Sequence, residues 1–392
     1  MNVEKVREDF PFLKKKTIYF DNACTTLKPK QVIDAVVDYY SNYSGCAGRS
    51  HHKISKKTEE EFEGARKKIG KFIDAKENEI IFTRNTTEGL NLLASSIKLE
   101  KDDRILTTNV EHHSVLLPFR RATKNIDYAL CDDKGNISLS AIEEKMGLNT
   151  KIVVIHQTSN VFGTSPEIKE IIKLAHEYNA LTIIDGAQGV PHQKTDVKKL
   201  GCDFLVFSGH KMLGPTGIGC LYGKYELLEK LPPFILGGGT VLEVKMDGSV
   251  QQKPPHKFEA GIQHYAGAIG LGAATDYLNK IGMNDIERHE ERLTRSLLEK
   301  MKEIEKIKIL GPDATGRKTA LVSFNIKDMK AHHVALMLDE MDIAVRSGMF
   351  CAQPAVESTG EKDGAVRASL YFYNTEQEID TFIEAMKKIS KI

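Results

Sequence analysis

The residues best suited to chemistry in this chain come directly after short apolar runs. The run 204–208 is followed by a glycine, an imidazole (His210) and one amine (Lys211), ahead of a glycine-proline turn, in FSGHKMLGPTG (207–217). The run LTIID (181–185) ends on the carboxylate of Asp185, with Gln188 shortly after it. KIVVIH (151–156) leads into QTSNVFGT and Asn160, RILTT (104–108) into NVEHHS with His112 and His113, and EIIFT (79–83) into RNTTEGLN with Thr86 and Thr87. Each residue also has an ordinary role open to it. Asn85 or Thr86 can cap a helix, as can Asp185. His112 or His113 can be a satisfied core histidine, and Lys211 can reach for the surface.

Ligands of open α/β sheets bind beyond the carboxyl ends of the strands. Hydroxyls, an imidazole, an amide, a carboxylate and an amine gathered there match pyridoxal phosphate part by part. A lysine holds the aldehyde carbon as a Schiff base. An acid keeps the pyridine nitrogen protonated, so that the ring can act as an electron sink. A helix N-terminus with hydroxyls receives the phosphate.

Such a set needs a sheet to position it. The five runs read as buried parallel strands, and TEGLNLLASSI and EIKEIIKLAHEY read as helices between them. This is the βαβ rhythm of an α/β domain with a mostly parallel sheet. From residue 231 a stretch rich in Pro and Gly reads as a long functional loop. Beyond it a smaller domain is expected, with an amphipathic helix over 285–306, a strand LVSFNI, a helix around HHVALMLDEM and short strands in IAVRSG and RASLYFY. Its last helix starts at a Thr375/Glu378 capping box and lines up Ile379, Phe382, Ile383, Met386 and Ile389 on one face.

A chain of 392 residues suits two domains. With 55 Lys+Arg against 54 Asp+Glu there is no global field to hold nucleic acid or an anionic membrane. The charged N-terminus lacks the apolar core of a secretory leader, and no run is long and apolar enough to span a bilayer. The six cysteines, at 24, 46, 131, 202, 220 and 351, show no CxxC pairing. A disulfide framework or a metal site is therefore not expected, and a reducing, cytoplasmic setting is.

In order, YFDNACTTLKP, NTTEGLN, EHHS, SNVFGT, IIDGAQ, SGHKMLGPTGIGCLYG, RSGMFCAQP and RASLYFYNT resemble the motifs of the class V aminotransferase family among fold-type I pyridoxal phosphate enzymes. The resemblance is nearest to the SufS-like (group II) cysteine desulfurases, also described as selenocysteine lyases, and it covers essentially the whole chain. It implies a large domain (17–275) with a seven-stranded, mostly parallel sheet and a smaller α+β domain (1–16 and 276–392). Lys211 would form the Schiff base, Asp185 would pair with the pyridinium nitrogen, and His112 would stack on the ring. Gln188 would contact the ring hydroxyl with Asn160 nearby, and Thr86, Thr87, Ser208 and His210 would hold the phosphate. Cys351 would be the nucleophile, on a segment short enough to be ordered. Arg367 would clamp the substrate carboxylate through two parallel hydrogen bonds, with Arg346 and His52 close to the substrate. The implied reaction converts L-cysteine to L-alanine and leaves a persulfide on Cys351, for a sulfur-acceptor or iron–sulfur scaffold protein. A homodimer is implied as well.

The chain departs from the family pattern in three places. Met349 and Phe350 stand where two histidines usually precede the nucleophile. Ile262 replaces a threonine that reaches the neighbouring subunit's phosphate, leaving Gln263 or His264 as substitutes. The polar stretch AVESTGEKDG differs from the group's usual sequence. Cys24, where alanine is common, reads as a small residue filling a small space. Other chemistry on the same fold (selenocysteine lyase, aminotransferase, epimerase or cysteine-independent lyase) and a non-enzymatic assembly scaffold remain as alternatives. A nucleotide-binding oxidoreductase is disfavoured, because the glycines of GPTGIG and LGGGT form no GxGxxG between strand and helix.

Overall fold

The computed structural model describes residues 1–392 except 49 and 315–318. Seven strands form one sheet in the spatial order Ile80–Thr83, Gly219–Gly223, Phe204–Ser208, Leu181–Asp185, Thr150–His156, Arg104–Thr108, Ile126–Ala129. Gly219–Gly223 is antiparallel to both neighbours and the other pairings are parallel. Helices on both faces remove the strands from water. Accordingly every residue of Phe204–Ser208 and of Gly219–Gly223 is buried, and the sequences run apolar without alternation. The five expected strands fall within a residue of their observed bounds.

The antiparallel strand passes close to the helix that begins at Thr86. A Cβ on Gly219 would lie 2.7 Å from Asn85 Cα and 2.8 Å from the Phe207 carbonyl oxygen, so only glycine fits there. On the outer side, Tyr265–Ile281 packs against Lys30–Asn42 and Lys53–Phe72.

A second sheet is antiparallel, in the order Ile307–Leu310, Leu321–Ile326, Ala365–Ser369, Arg346–Gly348. It has its own core, with Leu293, Leu297, Phe324, Phe382 and Met386 among its members. The amphipathic helix runs Met283–Lys302, and the last helix, Glu376–Ile389, carries the Thr375/Glu378 capping box. RASLYFY is a strand only as far as Ser369. Val366, Ala368 and Leu370 fill the second core, whereas Tyr371, Phe372 and Tyr373 turn into the first. Tyr371 donates to the Pro191 carbonyl (3.0 Å), and the Tyr373 hydroxyl accepts from Leu27 N–H (2.9 Å). The segment thus stitches the two cores together. Val6 and Phe10 also lie in the first core, while Arg7 reaches the Tyr373 carbonyl (2.6 Å) and Glu378 (2.9 Å).

The stretch after 231 is not all loop. Val241–Lys245 and Gly248–Gln251 pair as an antiparallel hairpin joined by the two residues Met246 and Asp247, because VLEVK is rich in β-branched and long apolar residues. Its end is anchored by Glu259. That carboxylate takes Arg66 in a bidentate pair (2.7 and 2.8 Å) and accepts from Phe82 N–H (2.8 Å), with both side chains almost fully buried. Arg66→Met strands that anion and is expected to cost about 3–5 kcal/mol, read as a lowered urea midpoint.

Candidate active site

The carboxyl ends of the parallel strands open into a cleft of ≈ 210 Å³, closed on its far side by residues of the second sheet. Twelve of the thirteen residues to which the resemblance gives a part in cofactor binding, substrate binding or catalysis line it. From the large sheet come Thr86, Thr87, His112, Asn160, Asp185, Gln188, Ser208, His210 and Lys211, and from the second sheet and its loop Arg346, Cys351 and Arg367. His52 is placed elsewhere. It is exposed, and its Nδ1 accepts from Ser55 N–H (3.1 Å) as the N-cap of Lys53–Phe72, a structural use of an acceptor that a sequence cannot separate from a substrate contact.

At one end of the cleft the two readings of NTTEGLN coexist. Asn85 caps the helix, accepting from Glu88 N–H (3.0 Å). Thr86 donates its N–H to Ser208 Oγ (2.9 Å), the Thr86 and Ser208 hydroxyls lie 2.7 Å apart, and the Thr87 and Ser114 hydroxyls 2.7 Å apart. Hydroxyl rotors beside a helix N-terminus can turn their donors onto an anion. The His210 ring is pulled down to about 4 by burial and by the nearby Lys211 and Lys28 amines, so it is neutral at physiological pH.

At the other end, Asp185 Oδ1 accepts from Ala187 N–H (2.9 Å). Burial pushes the Asp185 carboxyl up, while that N–H and the Lys211 charge work against the rise. Desolvation pulls the Lys211 amine down against the pull of Asp185, which moves a lysine toward proton-transfer duty. Gln188 donates to the Ala23 carbonyl (2.7 Å), and its Oε1 is buried with no partner. His112 Nδ1 accepts from Ser114 N–H (3.0 Å), and burial, then Lys211, pull its pKa down to about 3. A neutral ring can lie against a cationic one without repulsion.

That shift has a pH consequence. Between about 3 and the ordinary 6.5, the unfolded chain binds a proton at His112 that the folded chain does not, so stability rises with pH across that window. The melting temperature should therefore fall from about pH 7.5 to about pH 5, and His112→Asn, which can still cap, should fall less.

On the small-sheet side, Arg367 is almost fully buried. Its Nη1 donates to the Asn160 carbonyl (2.8 Å), its Nη2 lies 3.6 Å from Asp21, and its Nε has no partner. The guanidinium sits 4.9 Å over the Phe350 ring, so the residue that replaces a histidine packs against the cation by a cation–π contact. Phe350 and Cys351 both have left-handed backbones (φ 51° and 54°), an uncommon and costly state for side chains of this kind. Two bonds hold it. Asn160 Nδ2 donates to the Phe350 carbonyl (2.8 Å), and His113 N–H donates to the Cys351 carbonyl (2.7 Å). Cys351 itself is exposed.

Cys24 is not a filler. It lines the cleft, and Arg346 Nη1 donates to its Sγ (2.8 Å). Its neighbour Ala23 is the residue that Gln188 grips, a long-range contact without a local sequence pattern. His156 also lines the cleft. Ile262 is exposed, and Gln263 is turned back onto the Ala260 carbonyl (3.0 Å).

A lysine, an aspartate and a hydroxyl-lined helix N-terminus at the ends of one parallel sheet define a class of enzyme, and the chain belongs to the class-V aminotransferase family, which it matches over residues 18–382. Within that family it is similar to a probable cysteine desulfurase of Halalkalibacterium halodurans, 42% identical over 99% of this chain and 98% of that protein. It superposes on the apo cysteine desulfurase of Thermococcus onnurineus (TM-score 0.95, 40% identity, 99% of this chain and 98% of the other). It also superposes on the cysteine desulfurase CsdA of Escherichia coli (TM-score 0.93, 32% identity, 100% and 99%). The cleft fits the family's cofactor. The orphaned Gln188 Oε1 offers an acceptor to a ring hydroxyl, Asp185 offers an anion, and the Thr86, Thr87 and Ser208 hydroxyls cluster where a phosphate would sit.

Proposed function

We propose that this enzyme is a pyridoxal 5'-phosphate-dependent cysteine desulfurase that converts L-cysteine to L-alanine and takes the sulfur as a persulfide on Cys351. The observation that carries the reading is the convergence of Lys211, Arg367 and Cys351 on one cleft, from two sheets with separate cores. When bound, the cofactor supplies an electron sink for the charge developed at the substrate Cα. Asp185 would pair with the ring nitrogen, Gln188 Oε1 would meet the ring hydroxyl, His112 would stack on the ring, and Thr86, Thr87, Ser208 and His210 would hold the phosphate, with Asn160 alongside.

Lys211 carries the proton to and from Cα. Arg367, with Arg346 beside it, holds the substrate carboxylate and so fixes the direction in which the thiol side chain points. The Cys351 thiolate attacks the substrate sulfur. The S–S bond forms as the substrate C–S bond breaks, and the carbon skeleton takes up a proton and leaves as alanine. Atoms balance: cysteine plus a protein thiol gives alanine plus a protein persulfide.

Replacing Arg367 with Lys removes the planar fork. KM for L-cysteine is expected to rise by about 10²-fold, with a smaller fall in kcat. The test of the whole reading is alanine and sulfide measured together from L-cysteine and a thiol reductant. Equal yields support it, and turnover of another amino acid in preference to cysteine and selenocysteine defeats it. The enzyme acts in the cytoplasm as a homodimer and passes its sulfur to an acceptor or iron–sulfur scaffold protein. The dimer is supported by the exposed apolar residues Leu242, Val244, Met246 and Val250 on the 241–251 hairpin. Among the described residues no helix is long and apolar enough to cross a membrane.

A further inference from the structure

Behind Asp185 lies a pair of buried groups that the reaction as described does not use. His156 and Asp185 are register partners on neighbouring parallel strands. Partnered residues leave a sheet on the same face, and adjacent strands run about 4.8 Å apart, so the imidazole stands beside the carboxylate at the cleft floor. Its Nδ1 lies 2.7 Å from Glu111 Oε1, which also accepts from the Thr108 hydroxyl (2.7 Å). Glu111 is fully buried and His156 nearly so, at 4% exposure. His156 Nε2 and Glu111 Oε2 have no partner. Burying a glutamate, a histidine and an aspartate together is costly unless their charges offset one another.

We infer that Glu111 and His156 are positioning residues for the cofactor's ring nitrogen: Glu111 holds His156 as an imidazolium beside Asp185, which keeps Asp185 ionised and makes the site select a ring nitrogen that carries a proton. The charges around His156 favour this. Burial pulls its pKa down, but the Glu111 charge and hydrogen bond, with the Asp185 charge, outweigh it and the net direction is up. For Asp185 burial works the other way, pushing the carboxyl toward its neutral form. Its imidazolium neighbour joins Lys211 and the Ala187 N–H in opposing that, while the Glu111 charge itself adds to the rise, so Glu111 serves Asp185 only through the imidazolium it holds. An Asp185 left neutral would lose its ion pair with a pyridinium. The electron sink depends on that pair, so the cost of losing His156 falls on the nitrogen and not on the phosphate or the aldehyde.

The inference rests on the pyridoxal phosphate reading, and the test separates the two. Apoprotein is titrated by calorimetry with pyridoxal 5'-phosphate and with its 1-deaza analogue, in which C–H replaces the ring nitrogen. The wild type should prefer the natural cofactor, and Asp185→Asn should lose most of that preference. His156→Gln should lower the preference about tenfold, equivalent to about one pKa unit at Asp185. The isosteric Glu111→Gln should lower it in the same direction, and it stands in should the histidine variant not fold. A merely structural role would weaken both ligands equally and leave their ratio unchanged, which overturns the inference. A wild type that binds both ligands alike also overturns it while sparing the cofactor reading. A wild type that binds neither overturns both.

Discussion

Cys351→Ser should leave a folded protein that still holds its cofactor and yet yields almost no alanine or sulfide, with turnover down on the order of 10³-fold or more. The expectation is specific because the substitution is nearly isosteric and the side chain is exposed. Neither the core nor the two hydrogen bonds on the neighbouring carbonyls depends on the sulfur. What changes is the nucleophile. A thiolate is accessible near neutral pH and attacks sulfur readily, whereas a serine hydroxyl does neither. Alanine and sulfide persisting within a few-fold of wild type would remove Cys351 from the reaction and return the protein to the cysteine-independent branch of its family.

Lys211→Ala is expected to cost more, on the order of 10⁴-fold or greater, because one residue is lost from two tasks, covalent retention of the cofactor and proton transfer at Cα. The visible band of lysine-bound cofactor should disappear, and a small primary amine added to the buffer should restore part of the turnover. A variant that keeps the band and the rate would place the Schiff base elsewhere. The partial rescue separates this from a folding defect, since an added amine cannot repair a collapsed cleft.

Much of this architecture was legible because parallel sheets write themselves plainly. A strand buried on both faces must be apolar throughout, and its ligand-facing end must be polar. LTIID and FLVFS therefore announced both their positions and the places where Asp185 and Lys211 would stand. Cores formed from distant segments were less readable. The same alternation that made RASLYFY look like one strand is broken after Ser369, because three aromatic rings are needed in the other core. The 241–251 hairpin was hidden by the prolines and glycines around it.

The site divided in the same way. Residues at the large sheet's strand ends were legible from their own segments, Arg346, Cys351 and Arg367 came with the family resemblance, and the partners that some of them meet across the chain were not foreseen. Cys24 meets Arg346 from 322 positions away in sequence, and Glu111 meets His156 from 45. His52 is assigned to the substrate by the resemblance alone; within the chain it caps the helix that follows and lies outside the cleft.

The consecutive left-handed residues at Phe350 and Cys351 bear on how sulfur leaves the protein. A thiol clamped in a costly conformation by Asn160 and His113 cannot ferry its cargo outward on a swinging arm. Its outer sulfur stays at the rim of the cleft until another molecule comes to fetch it. The recipient must bring its own thiol on a projection narrow enough to reach that rim. The rate of delivery is then set by how often such a visitor docks.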